Sequence, residues 1–152
     1  MALPSIFLPD VANELIARIH LLQPNTNPLW GKMNASQMLA HCNITYEYIF
    51  DDKHPKPNFF IGWMLKLFVK ELVVNEKPYP HNSRTAKDFL ITRSVDFSTE
   101  KLRLIAYIER VVELGKQHFD GLESHSFGKL NATEWNNMLY KHLHHHLSQF
   151  GV

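Results

Sequence analysis

The stretch Asn131-Ala-Thr-Glu-Trp-Asn-Asn-Met-Leu-Tyr-Lys-His-Leu-His-His-His-Leu-Ser-Gln-Phe150 decides the fold. Asn131 followed three positions later by Glu134 is a capping-box start. Trp135, Leu139, His142, His146 and Gln149 then recur at helical spacing along one stripe. The spacing predicts an amphipathic helix to about Phe150 whose apolar face continues into two histidines.

Upstream, a second helix is expected from Asn34 to about Phe50, where Asp51 and Asp52 precede the breakers Pro55 and Pro57. Its Met38, His41, Thr45 and Tyr48 share one face. A first helix is expected after Pro9, with Asp10 as N-cap and Val11, Ala12, Leu15, Ile19 and Leu22 as its stripe, ending near Pro24. Phe59 to Val74 reads as a further helix and Asn75 to Asp88 as a long irregular connection. Phe89 to Val95 looks extended, and a lone strand makes no sheet.

A third main helix is capped by Ser98, with Phe97 and Leu102 as a hydrophobic staple. Leu104, Ile105, Ile108, Val111 and Val112 form its stripe before Gly115. Gly121 to Leu130 reads as loop. Four main amphipathic helices, an extra short one and one long connection predict an all-α, antiparallel four-helix bundle with one crossover.

The chain has 152 residues, 45% hydrophobic and 20% charged, which fits one globular domain spanning residues 1–152. With 16 basic against 15 acidic residues the net charge is +1, and no basic block stands out, so nucleic acid is excluded as an expected partner. The apolar run Phe59 to Val69 is interrupted by Lys66 and too short to span a bilayer. It reads as core packing or as a contact surface for a homodimer. The first nine residues resemble no signal or transit peptide, and the single Cys42 allows no internal disulfide, so the expected location is cytoplasmic.

The two histidine-bearing helices open with similar words, Asn34-Ala-Ser-Gln-Met38 and Asn131-Ala-Thr-Glu-Trp135. His41 lies seven residues beyond its starting Asn, and His142 and His146 lie eleven and fifteen beyond theirs. These offsets differ by four, so the imidazoles project toward nearly the same face relative to each helix start. His142 and His146 can lean toward one ion at metal–nitrogen distances of roughly 2.0–2.1 Å, with His41 closing the site from the facing helix. Three imidazoles leave a coordination position for water or substrate, the pattern of a catalytic site.

The bland readings stay open beside this one. A single inward histidine is usually a hydrogen-bonded core residue, and the run from Lys141 to His146 also fits a polar helix end with unspecific metal affinity. His144 points off the stripe and His145 lies at its edge. Cys42 reads as a packed thiol.

The segments Leu29-Trp-Gly-Lys-Met-Asn-Ala-Ser-Gln-Met-Leu-Ala-His41, His125-Ser-Phe-Gly-Lys-Leu-Asn-Ala-Thr-Glu-Trp135 and Tyr140 to Phe150 together resemble the DinB/YfiT-like superfamily over nearly the whole chain. The resemblance implies a four-helix bundle in which His41, His142 and His146 bind a divalent metal; three imidazoles suit zinc, nickel, iron or copper, zinc or nickel being expected first and iron next. Gln149 matches a glutamine that often follows the last ligand. Leu147-Ser148 stands where many members carry Arg-Gly. Characterised members include thiol transferases, so the resemblance implies transfer of a low-molecular-weight thiol such as bacillithiol, mycothiol or glutathione to a small electrophilic substrate. The alternatives are a metal-dependent hydrolase, with Glu14 or Glu47 as candidate bases, and a non-catalytic binding or stress-response module.

Overall fold

The computed structural model describes residues 2–51, 53–83 and 85–152; Asp52, read above as part of the end of the second helix, lies outside them. The elements in chain order are α1 (Pro9–Leu21), α2 (Ala35–Phe50), α3 (Phe59–Phe68), α4 (Lys70–Val74), a 3₁₀ turn (Lys87–Phe89), α5 (Phe97–Phe119), β1 (Glu123–Ser124), β2 (Gly128–Lys129) and α6 (Ala132–Gln149). The fold is predominantly helical. Among the described residues the strands are confined to one antiparallel pair, with Ser124 opposite Gly128.

The helices that carry the histidines start where the sequence says they should. Asn34 accepts from the Gln37 amide at 2.9 Å while the Gln37 side chain accepts from the Asn34 amide at 3.0 Å. Asn131 and Glu134 repeat the reciprocal pair at 2.9 Å in both directions. Each box satisfies two amides that the helix start leaves unpaired, a contribution of about 1 kcal/mol per cap. The two starts are therefore fixed alike, and the histidines keep their registers.

Other boundaries differ from the sequence reading. Leu8, not Asp10, is the N-cap of α1, because Pro9 occupies the first helical position, where its fixed φ suits the helix; Asp10 lies in the first turn, favourably placed on the dipole. Asp96 caps α5 in place of Ser98, accepting from the Thr99 amide at 2.8 Å and its hydroxyl at 2.6 Å. Leu102 is 68% exposed and staples nothing. Gly115 ends the first helical stretch of α5, as the sequence reading has it: at φ +71° and ψ 169° it is non-helical, and a second helical stretch beyond the kink buries Phe119 against Phe7 and Trp135 at ring separations of 5.2 and 5.6 Å.

The expected single helix from Phe59 to Val74 is broken at Val69. Beyond the break, buried Lys141 of α6 donates its ammonium to the carbonyls of Leu72 at 2.9 Å and Asn75 at 2.6 Å, tying the end of α4 to α6. The Phe89 end of the segment expected to be extended belongs to the 3₁₀ turn, and residues 121–130, expected as plain loop, contain β1 and β2. Two-residue strands are too short to carry the alternation that marks a strand in sequence.

One continuous apolar core is built from Leu15 and Ile19 of α1, Met38, Leu39 and Tyr46 of α2, Leu104, Ile108 and Val111 of α5, and Trp135, Leu139, Leu143 and Leu147 of α6. Side chains of this size each contribute roughly 1.5–3 kcal/mol when buried. α2 lies against α5 and α6, and so does α1, while α4 rests on α6. Of the two readings of the aromatic segment, core packing is overturned: α3 has no buried residue. Among the described residues no helix is long and apolar enough to cross a membrane.

Candidate metal centre

The α2–α6 contact brings His41, His142 and His146 together, with one ring nitrogen from each lying within 4.8 Å of the others. Nε2 of His41 stands 3.0 Å from Nε2 of His142. His41 and His146 are buried, and His142 is partly buried, facing a cavity.

The outer nitrogen of each ring has its own partner, and two of these partners set the tautomer. Nδ1 of His41 lies 2.9 Å from the Phe89 carbonyl oxygen. A carbonyl can only accept, so that nitrogen carries the hydrogen and leaves the Nε2 lone pair free. Gln149 donates through Nε2 to the Trp30 carbonyl at 2.7 Å, which turns its Oε1 to accept from Nδ1 of His146 at 2.8 Å. The Thr45 hydroxyl lies 3.2 Å from Nδ1 of His142. Such outer contacts hold a ligating ring in orientation and raise its basicity.

Burial also keeps the rings neutral. Desolvation lowers the pKa of His41, against the smaller opposing effect of the Phe89 carbonyl. His142 is held well below the usual range by burial first and then by its neighbours His146 and His41. His146 is pushed down to about 3 by burial and by His41, with Gln149 opposing. Neutral imidazole is the form that ligates a metal. Three such nitrogens, with two lone pairs directed inward and no carboxylate among them, fit a divalent cation. They also fit its open coordination position, because this group contains no fourth protein ligand.

The triad lines a cavity of about 690 Å³. Leu65 of α3, Val69 at the α3–α4 junction, Leu72 and Val73 of α4, and Phe89 are among its other lining residues. Two polar residues of this space were not singled out as chemical groups in the sequence. Asp88 sits in the 3₁₀ turn one residue before the carbonyl that orients His41, and no local pattern in an irregular segment marks it. Tyr48, one turn beyond Thr45, stacks on His125 at 3.9 Å; burial first, then the Asp88 carboxylate, push its phenol up to about 12.

The remaining candidates fall outside the centre. His144 faces away and meets the Arg18 guanidinium at 2.9 Å. His145 lies at the cavity wall, edge-on to Trp30 and Tyr79 at 5.8 and 5.6 Å. Cys42 is fully buried, its thiol pushed up by desolvation, with Sγ 3.7 Å from the Met38 sulfur. Glu47 is committed to Arg103 and to His54: burial tends to raise its pKa, but hydrogen bonds from those two partners prevail and hold the carboxyl below its usual value. Glu14 is exposed on α1 and does not line the cavity.

No curated protein and no solved structure matches the chain. One family model does, over residues 8–151, and its description is "Protein of unknown function (DUF1569)". That match takes in α1 to α6 and all three histidines, and the chain belongs to this family.

Proposed function

We propose that the chain is a divalent-metal-dependent enzyme of DinB/YfiT-like four-helix-bundle type that transfers a low-molecular-weight thiol to a small electrophile. The observation that carries this reading is the convergence of three neutral imidazoles, from two helices, on a largely apolar cavity. His41, His142 and His146 would hold the ion, zinc or nickel before iron, since nitrogen donors suit all three. When bound, it would act as a Lewis acid and lower the pKa of a thiol entering the open position.

The chain's own groups account for the rest. The Phe89 carbonyl, Gln149 and Thr45 hold the three rings in place. The apolar wall from Leu65 to Val73 excludes water from the electrophile and strengthens polar interactions inside. In the transfer, a sulfur–carbon bond forms as the bond from that carbon to its leaving group breaks. The thiol proton passes to water and the leaving group departs with the electron pair of the broken bond, so charge balances, and the Tyr48 phenol, held protonated by its surroundings, can donate a hydrogen bond to the departing group.

Hydrolysis is a second reading, favoured by one observation: Asp88 brings a carboxylate into the same cavity, where a general base is required. Glu47 and Glu14 do not fill that role, one being ion-paired and the other remote. Metal-loaded protein incubated with glutathione, bacillithiol or mycothiol and a panel of alkyl halides and epoxides tests the choice. Thiol consumption abolished by His142→Ala supports transfer; ester or amide hydrolysis without thiol dependence, abolished by Asp88→Asn, replaces it with the second reading.

A further inference from the structure

α3 is the anomaly of the fold. Phe59, Phe60, Trp63 and Phe68 are exposed by 90, 67, 52 and 65%, and Ile61, Met64 and Leu67 are exposed beside them. At about 100° per residue these positions cover roughly half the circumference of the helix. The four aromatic rings alone present roughly 500 Å², at 150–250 Å² for each full side chain. With the aliphatic residues the face approaches about 800 Å², above the largest patch of an ordinary monomer and equal to one partner's share of a standard interface.

The helix also lacks support of its own. Ten residues long with none buried, it is too short to be stable in water by propensity alone, and its main contacts are with α4. Yet its inner side supplies Leu65 to the cavity that holds the histidine triad. A wall of the candidate site thus stands on an element that the single chain leaves unbraced.

We propose that a second copy of this chain covers α3, the two α3 faces packing on each other about a two-fold axis. The area matches that occupant, and a two-fold axis lets one patch satisfy itself. The charge around the helix fits it better than a lipid surface. Lys53 is paired with Asp51 at 2.6 Å and Lys70 with Glu134 at 2.7 Å, so two of the lysines flanking the helix among the described residues are already neutralised and are poorly available to anionic headgroups. In the dimer the partner's α3 braces the outer side of the wall whose inner side lines the cavity.

Sedimentation of the untagged full chain at low and high micromolar concentration, with hydrogen exchange at residues 59–68, tests this directly. The expected result is a dimer mass, with amide protection of α3 rising with concentration. The Trp63→Ser/Phe68→Ser variant should run at half that mass, with helical circular dichroism and bound metal unchanged. A wild-type monomer throughout, or a variant as dimeric as the wild type, overturns the proposal. So does a monomer that floats with vesicles of phosphatidylcholine and phosphatidylglycerol, which assigns the face to lipid. Should the variant fail to fold, the wild-type mass and the exchange at α3 still decide. Metal content is read separately, so failure here leaves the metal centre untouched.

Discussion

Nε2 of His41 and Nε2 of His142 face each other at 3.0 Å across the α2–α6 contact, although His41 turns a lone pair toward its neighbour because its other nitrogen is bound to the Phe89 carbonyl. Two such lone pairs repel. Without a metal, the pair is relieved only if His142 carries its hydrogen on Nε2 and accepts from Thr45 on Nδ1. To ligate a cation through Nε2, His142 would carry the hydrogen on Nδ1 instead, with the Thr45 hydroxyl oxygen accepting it. The outer partners Phe89 and Thr45 hold the two rings in either tautomer, so much of the site is organised before metal arrives and closing on an ion needs only movement of the ring nitrogens toward one another.

Gln149 is predicted to matter through His146. Gln149→Ala removes the acceptor that fixes the ring and should weaken metal binding about 10–100-fold while leaving the helix content intact. Chelator competition monitored with cobalt or zinc measures this.

Gly31→Ala should reach the same ring through Gln149. Gly31 sits at φ +84°, and an added Cβ would lie 2.5 Å from the Gln149 side-chain nitrogen. Backbone strain predicts a loss of about 1–3 kcal/mol, and displacement of Gln149 predicts weaker metal binding in the same sense as Gln149→Ala. Thermal unfolding and the chelator titration read the two effects separately.

Arg103→Ala tests the polar network that joins α2 to α5. Arg103 donates to Glu100 at 2.8 Å and also bonds Glu47, while Glu100 is only 5% exposed and keeps just the 2.7 Å contact from Asn43 among its side-chain donors. Removing the guanidinium leaves two carboxylates under-compensated and should cost about 2–4 kcal/mol in denaturant unfolding. The metal content of the folded fraction should not change, because the network does not touch the triad.

Acid should destabilise the fold through the same histidines. Each has a folded-state pKa below the ordinary 6.5, His146 at about 3, so below about pH 6.5 the unfolded chain takes up protons that the folded chain refuses. Stability is therefore full above the unfolded value and is lost progressively as pH falls toward about 3. Metal loss on acidification should coincide with unfolding, measured by parallel circular dichroism and bound-metal titrations.

The legible part of the site was the part written in helical register. The matching words at Asn34 and Asn131 fix two helix starts through their own side chains, and spacing by four then carries His41, His142 and His146 onto buried faces. Apolar periodicity likewise marked Leu15, Ile108 and Leu139 for the core. What escaped the sequence depends on tertiary contact. The Phe89 carbonyl and Asp88 come from an irregular segment whose path no periodicity describes. The break at Val69 has no glycine or proline to announce it. The aromatic run of α3 reads as core by composition, since nothing local tells a buried Phe from one left facing outward.

Elemental analysis of untagged protein, purified without a nickel column, beside its His41→Ala variant tests the metal centre most directly. His41 is the informative position because the variant keeps the whole terminal run from His142 to His146, so adventitious binding by that run would survive. Near-stoichiometric metal in the wild type, lost in the variant with its helical spectrum unchanged, is the predicted result. Equal metal in both proteins, or none in either, would contradict it and return His41 to an ordinary hydrogen-bonded place in the interior.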